Sequence, residues 1–128
     1  MHKEAINPLG TAFPGMSQAI RCGGWLTVSG QVSMVDGQVV GVGDSLAQAR
    51  QCFNNLCNVL QSADARLDQV VMLRGYLTHR EVYGSYAQVK SELFGDLAPA
   101  GTVVIVADLL LDGLLMELEA VAWLGERA

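Results

Sequence analysis

Charged side chains are scarce in this sequence: Asp, Glu, Lys and Arg make up 16% of its 128 residues. An average soluble domain carries roughly 25%. Hydrophobic residues, by contrast, make up 51% of the chain. A chain of this length builds one hydrophobic core, and a domain with too few charges to cover itself often hides surface in an oligomer. The composition therefore predicts a single domain over residues 1–128 that associates with further copies of itself.

Basic residues are fewer still, with 8 Lys and Arg against 13 Asp and Glu and a net charge of −5. Nucleic-acid binding begins with the neutralisation of phosphates, so this balance argues against a nucleic-acid partner. No uncharged apolar run reaches the length of about 18 residues that a membrane span requires. The first ten residues also lack the apolar core of a signal peptide. We therefore expect no membrane association and a cytoplasmic location.

Cysteine is rare, and its three copies fit no metal-ligand spacing. Cys52 and Cys57 lie five residues apart on a predicted helix, and Cys22 lies on a predicted strand. We expect reduced thiols in the core of a cytoplasmic protein. The only histidines, His2 and His79, are not placed to make a metal site credible.

The first part of the chain predicts strands. Proline and glycine interrupt residues 1–14, which are expected to form an extended arm. Strand-forming residues then predict strands over 16–22 and 25–29. Asp36-Gly37 lies between two short apolar runs, which predicts a hairpin.

Two helices follow, over about 45–60 and 81–94, and Asp44 or Ser45 is expected to cap the first. The opposite face of the first helix carries polar, mostly uncharged residues that we expect to be solvent-exposed. The predicted buried positions of the two helices are Leu46, Ala49, Phe53, Leu56 and Leu60, and Val82, Tyr86, Val89 and Leu93. The predicted exposed face of the first helix consists of Gln48, Arg50, Gln51, Asn54, Asn55 and Asn58.

Three further strands are predicted, over 67–78, 102–107 and 114–124. In the first, Val71, Leu73 and Leu77 are expected to face the helices, and Met72, Arg74, Tyr76 and Thr78 the other side. The second is apolar at four consecutive positions, 103–106, which predicts burial of both its faces.

The last strand carries the one chemical oddity of the chain. Side chains alternate across a strand, so Glu117 and Glu119 share one face while Met116 and Leu118 point to the core. Two acids on an apolar strand are costly unless they meet water, a cation or a hydrogen-bond donor. The order of elements predicts an α+β domain, with helices on one face of a sheet and another copy of the chain on the other face.

Four stretches of the sequence together resemble a known family: SGQV at 29–32, LAQARQCFNNLCNVLQSADARLDQVV at 46–71, APA at 98–100 and MELEAVAW at 116–123. They are similar to the Rid family, also called the YjgF/UK114 or reactive-intermediate deaminase family. The resemblance implies a chorismate-mutase-like α+β domain with a mixed sheet, assembled as a homotrimer with ligand clefts between subunits. Active members hydrolyse enamines and imines to a keto acid and ammonia without a metal or organic cofactor.

The chain departs from the family pattern at three polar positions. Family members carry an arginine directly after the Pro-Ala before the penultimate strand, where it binds the substrate carboxylate. Here that position is Gly101, which forms no guanidinium–carboxylate pair. A family tyrosine falls on Met16, and a family asparagine falls near Ala87. The resemblance therefore predicts a more apolar pocket and a substrate other than a simple 2-imino acid.

The resemblance also assigns roles to residues that are kept. Glu117 matches the acid that positions the hydrolytic water, and the backbone around Gly30 shapes the cleft. The predicted substrate-binding positions are Met16, Ser29, Gly30, Gln31, Arg74, Gly101 and Thr102.

Each charged candidate has a structural alternative. Glu117 is either a general base or one partner of a salt bridge between subunits. Glu119 is expected to be structural. Arg74 either binds an anionic ligand in place of the absent arginine or neutralises the two acids, and we favour neutralisation.

Two functions remain open at this point. The first is a cofactor-independent hydrolase acting on an enamine, an imine or a related reactive metabolite. The second is a trimer that binds a small molecule without turnover. A third, the endoribonuclease activity of an older family label, is poorly supported by the acidic charge.

Overall fold

Eight strands and two helices form within the residues that the computed structural model describes, 2–11 and 13–126. Short 3-10 turns at Leu67–Gln69, Arg80–Val82 and Gly95–Leu97 connect some of them. The strands are β1 (Lys3–Ile6), β2 (Ala19–Cys22), β3 (Trp25–Val32), β4 (Met34–Val35), β5 (Gln38–Val39), β6 (Val70–Leu77), β7 (Ala100–Ile105) and β8 (Met116–Trp123), and the helices are α1 (Ser45–Ser62) and α2 (Tyr83–Phe94).

Six strands make one mixed sheet in the order β1-β2-β3-β8-β6-β7. Only β6 and β7 pair in parallel, and the remaining neighbours are antiparallel. The short strands β4 and β5 form a separate hairpin, whose turn residues Asp36 and Gly37 both have positive φ, as a two-residue hairpin turn requires. The predicted α+β class, with two helices on one face of a mixed sheet, is confirmed.

The core lies between the helices and the sheet. On β8 the alternation predicted from the sequence is confirmed, because Met116 and Leu118 are fully buried while Glu117 and Glu119 lie on the other face. The largest core side chains from other elements are Leu26, Val28, Phe53, Leu56, Leu73, Leu77 and Tyr86.

The predicted exposed face of α1 is wrong at Gln48. Asp44 caps the helix by accepting a hydrogen bond from the backbone of Ala47, as predicted. Gln48, one position further, is completely buried: it donates to the carbonyls of Gly41 and Gly113 and accepts from the backbone N–H of Leu115. A buried amide is tolerated because these bonds replace the ones it would make to water. Gln48 therefore ties α1 to the loop that precedes β8.

Two buried positions were predicted one residue out of place. On β6 a register shift between Val70 and Met72 buries Val70 and leaves Val71 42% exposed. A bulge adds one residue to one strand and moves the following side chains to the opposite faces. On α2, Phe94 is buried and Leu93 is exposed, since Phe94 starts the turn that leaves the helix.

The strand β7 was predicted to be buried on both faces, which is wrong for this chain by itself. It lies at the edge of the sheet, and Val104 and Ile105 are 42% and 46% exposed. The sheet face opposite the helices is also open, with Trp25 and Trp123 in contact at a ring-centroid distance of 4.8 Å.

The N-terminal arm forms the edge of the sheet that lies opposite β7. Its residues Lys3–Ile6 form β1 and pair with β2, although the sequence predicted only an extended segment there. Proline and glycine after Ile6 end the strand and start the loop to β2.

Candidate functional site

The site begins with a bulge in β3. Pairing between β3 and β8 shifts between Val28 and Gln31, so Ser29 and Gly30 lie outside the regular ladder. The carboxylate of Glu117, on β8, lies over the Cα of Gly30, where a methyl group on that carbon would overlap it. The missing side chain of Gly30 therefore sets the position of the Glu117 carboxylate.

A cavity of about 1010 Å³ opens beside this carboxylate. It lies between the N-terminal loop, the β4–β5 hairpin, the polar face of α1 and the loop before β8. Four of the positions predicted from the sequence line it together: Met16, Gly30, Gln31 and Glu117. The structure thus brings residues from three separate stretches of the chain together in the lining of one cavity.

A chain of glutamine hydrogen bonds holds the N-terminal loop against the bulge. Gln31 donates to the side-chain oxygen of Gln18 at 2.9 Å, and Gln18 donates to the carbonyl of Thr11 at 3.0 Å. Both glutamines are buried. The hydroxyl of Ser29 donates to the carbonyl of Ser17 at 2.6 Å, so it is engaged with the loop and does not line the described cavity.

The environment of Glu117 favours its protonated form. Burial raises the pKa of the Glu117 carboxyl, and the nearby charge of Glu119 raises it further. A carboxyl whose pKa moves toward neutrality exchanges protons more readily at physiological pH, which suits a general acid or base. Cys52 lies behind Glu117 in the core, where burial and the Glu117 charge raise the pKa of its thiol to about 12. That thiol is inert.

Arg74 and Glu119 lie together on the open sheet face. The Arg74 guanidinium is 3.8 Å from the Glu119 carboxylate, which also accepts a short hydrogen bond of 2.5 Å from the hydroxyl of Tyr76. The bond to Glu119 is the largest cause that raises the pKa of Tyr76. Arg74 does not line the described cavity, and the ion pair that it forms is with Glu119.

Gly101 and Thr102 lie away from this chain's cavity, on the exposed strand β7. Gly101 pairs with Leu73 of β6. The ammonium nitrogen of Lys90, on α2, is 3.1 Å from the point where a Cβ at position 101 would lie. In the described part of the chain, the cavity that Glu117 lines and the strand β7 that carries Gly101 are therefore separate surfaces.

The described residues contain no group of three or more His, Cys, Asp or Glu side chains arranged to hold a metal ion. In the same residues, no helix has the length and apolar character needed to cross a membrane.

Comparison with known proteins decides the family. The family described as Endoribonuclease L-PSP matches residues 9–124. The chain belongs to the Rid (YjgF/UK114) family. A RutC family protein of Pyrococcus abyssi is 33% identical over 123 residues, which cover 94% of this chain and 92% of the relative. The mitochondrial protein mmf1 of Schizosaccharomyces pombe is 33% identical over 126 residues, covering 94% of this chain and 75% of that protein.

Solved structures of the Rid family share the fold. The Rid-family protein YyfA of Yersinia pestis superposes with a TM-score of 0.88 at 29% identity, covering 95% of this chain and 99% of that chain. A Mycobacterium tuberculosis member of the YjgF/YER057c/UK114 family gives a TM-score of 0.82 at 30% identity, with the same coverage.

Sequence reasoning missed part of the candidate site of this Rid protein. Gln51, Asn54 and Asn58 of α1 line the same cavity as Glu117, although the sequence placed them on a solvated surface. A solvated helix face usually carries charges, and these three positions carry none. The absence of charge at these three positions was the signal from which the sequence could have predicted that they line a cavity.

Proposed function

We propose that this Rid-family chain is a cofactor-independent hydrolase that converts a small imine or enamine to a carbonyl compound and ammonia. The observation that carries the proposal is the Glu117 carboxyl, with its raised pKa, on the wall of a cavity of about 1010 Å³. Family membership supports the fold and the position of this acid.

The proposed chemistry needs one group that both accepts and donates a proton. An enamine first becomes the imine when its N–H proton moves to the terminal carbon. Glu117 takes a proton from water as the water oxygen bonds to the imine carbon, and this proton passes to the nitrogen, which gives a neutral tetrahedral carbinolamine. Glu117 then takes the proton of the new hydroxyl and gives it to the nitrogen as the carbon–nitrogen bond breaks, so ammonia leaves and the carbonyl forms. Because the pKa of Glu117 is raised above that of a free carboxyl, this one group can both accept and donate a proton. No electrons are exchanged, so the reaction needs no redox partner.

The working unit that we propose is a homotrimer with its ligand clefts between subunits. Two features support it: the open sheet face with its exposed Trp25 and Trp123, and the exposed apolar edge strand β7. Apolar surface of this kind is characteristic of interfaces between subunits. In such a cleft, the strand that carries Gly101 and Thr102 would contribute to a site completed by a second copy.

The test is ammonia release from imines and enamines generated in situ, two charged (2-aminoacrylate and 2-iminobutyrate) and one neutral (2-aminoacrylamide). The mass of the assembly is measured by light scattering in the same buffer. Glu117→Gln should reduce the rate above the buffer background by about a hundredfold. Glu119→Gln is the matched control. It keeps an acceptor for Tyr76 and removes only the smaller of the two causes that raise the pKa of Glu117, so it should retain most activity.

Two results would change the proposal. Equal rates for the wild type and Glu117→Gln would remove Glu117 from the chemistry. Saturable ligand binding by the wild type, without acceleration of any imine or enamine offered, would favour the second candidate, a non-catalytic binding trimer.

A further inference from the structure

The residues of this chain that line the cavity beside Glu117 offer no positive charge to a ligand. Glu117 and Asp36 are the two ionisable residues that line it, and no Lys, Arg or His of residues 2–11 and 13–126 does so. A ligand carboxylate placed here would face two acids with no counter-charge from the same chain, which is unfavourable in a partly desolvated site.

One wall of the cavity is a stripe of uncharged amides on α1. Gln51, Asn54 and Asn58 follow one another at spacings of three and four residues, so they lie along one side of the helix. Asn54 and Asn58 make no side-chain hydrogen bond to any residue that the structure describes, and both are exposed where they line the cavity. They are free to donate to and accept from a bound molecule.

The amide wall is held at a fixed distance from the hairpin. Asn55 donates to the carbonyls of Val32 and Met34 at 2.9 and 3.0 Å, and Gln51 donates to the side-chain oxygen of Asn55. These bonds connect α1 to the end of β3 and to the start of β4, the hairpin's first strand. The groove between α1 and the β4–β5 hairpin is therefore held open by specific hydrogen bonds, as expected of a preformed ligand site.

Other walls of the cavity are apolar. Leu9 and Leu110 are almost completely exposed, and Phe13, Met16 and Leu111 are 51%, 46% and 40% exposed. All five line this one cavity. Apolar side chains gathered around a concavity, with a few convergent polar groups, are characteristic of small-molecule sites.

We infer that the ligand of this cavity is an uncharged molecule with an apolar body and a carboxamide-like group, recognised by Asn54 and Asn58. The reaction at Glu117 rests on the proposed function; the ligand class rests on the charge and polarity of the walls. The substrate would then be a neutral imine or enamine instead of an imino acid.

The turnover test uses a matched pair of enamines, 2-aminoacrylate and its carboxamide, 2-aminoacrylamide, both generated in situ. We expect kcat/KM to be at least about tenfold higher for the carboxamide. Asn54→Lys, which places a cation at the wall, should narrow this preference by about fivefold or more. Ser91→Lys adds the same charge on the exposed side of α2, outside the described cavity, and should leave the preference unchanged.

A binding test separates the ligand class from the chemistry. Benzamide and benzoate have the same shape and differ in charge, and their binding to the full chain is measured by side-chain amide NMR shifts. We expect benzamide to shift the amide signals of Asn54 and Asn58, with benzoate at least about tenfold weaker.

The outcomes of the two tests are distinguishable. A preference for the carboxylate in either test, or equal use of both members of a pair, overturns the inferred ligand class and leaves the proposed hydrolysis standing. Absence of turnover with selective benzamide binding refutes the hydrolysis and supports the ligand class. If neither benzamide nor benzoate binds at millimolar concentration, the assignment of this wall to ligand recognition is wrong.

Discussion

The carboxylate of Glu117 lies in the space that a side chain at Gly30 would occupy. The two residues come from β3 and β8, 87 positions apart in the sequence (117 − 30). They meet because the bulge in β3 turns Gly30 toward the same side of the sheet as Glu117. The position of the acid thus depends on the absence of a side chain on the neighbouring strand.

Substitution of Gly30 should therefore displace the acid. In Gly30→Ala the new methyl group moves the Glu117 carboxylate, and we expect a loss of about 1–3 kcal/mol in the free energy of unfolding from the overpacking. Hydrolytic activity should fall at least about tenfold. Gly84→Ala is the control, because a Cβ at that helical position meets open space, and it should stabilise the chain by up to about 1 kcal/mol. Urea denaturation and ammonia release measure both effects, and full activity of Gly30→Ala would contradict the relationship.

The raised pKa of Glu117 has a consequence for stability. The pKa of Glu117 in the folded state lies above its value in the unfolded chain. The contribution of Glu117 to the free energy of unfolding is therefore complete below the unfolded-state pKa, and it is lost as the pH rises through the folded-state pKa. Glu117→Gln stays neutral at every pH. We expect its unfolding midpoint to exceed that of the wild type by an amount that grows as the pH rises above about 4, the pKa of a glutamate in the unfolded chain. The control is Glu81→Gln at an exposed position. A difference that does not change with pH would contradict the assignment.

Tyr86 carries a buried hydroxyl with no hydrogen-bond partner among the described residues. Its ring packs against Gly75, where a Cβ would come within 2.8 Å of it, and burial raises the pKa of Tyr86 to about 12. Because Tyr86→Phe removes the unpaired hydroxyl and keeps the ring, we expect it to stabilise the chain by about 1 kcal/mol. The control Tyr83→Phe changes a half-exposed ring and should have no effect. Calorimetric melting of both variants tests this, and destabilisation by Tyr86→Phe would show that the hydroxyl has a partner in solution.

Gln48 should be a structural residue in spite of its polar side chain. Gln48→Ala leaves two carbonyls and one N–H near the core without their partner, and we expect a loss of about 3 kcal/mol in the free energy of unfolding. The control Gln88→Ala removes an exposed amide that donates only to Glu92, and it should change stability by less than about 0.5 kcal/mol. Denaturant titration compares the two, and similar small losses would place Gln48 among the solvated residues predicted from the sequence.

Restoring the family arginine should extend the substrate range. A Cβ at Gly101 meets only the flexible end of Lys90 and the Leu73 carbonyl at 3.4 Å, so Gly101→Arg is expected to fold. If the cleft is completed by a second copy, the new guanidinium should raise kcat/KM for 2-iminobutyrate by about tenfold or more. Gly84→Arg provides the same charge on an exposed helix position. Equal effects of the two variants would mean that the gain comes from overall charge.

Local patterns in the sequence predicted most of the fold. The Asp44 cap of α1, the Asp36-Gly37 turn and the alternation of Met116, Glu117 and Leu118 follow from neighbours within a few residues, and each was predicted correctly. Periodicity reports which residues share a face. It does not report where a strand gains an extra residue, and so the burial of Val70 in place of Val71 was missed.

By itself, then, the sequence determined the order of the elements after the N-terminal arm, the α+β class, the Rid family and the candidacy of Glu117, because these depend on local pattern or on aligned motifs. Tertiary structure alone decided that Gln48 is buried, that Asn54 and Asn58 share a cavity with Glu117, and that the carboxylate of Glu117 lies over Gly30. Those facts depend on the register between distant strands and on which surfaces face one another, and a one-dimensional pattern contains neither.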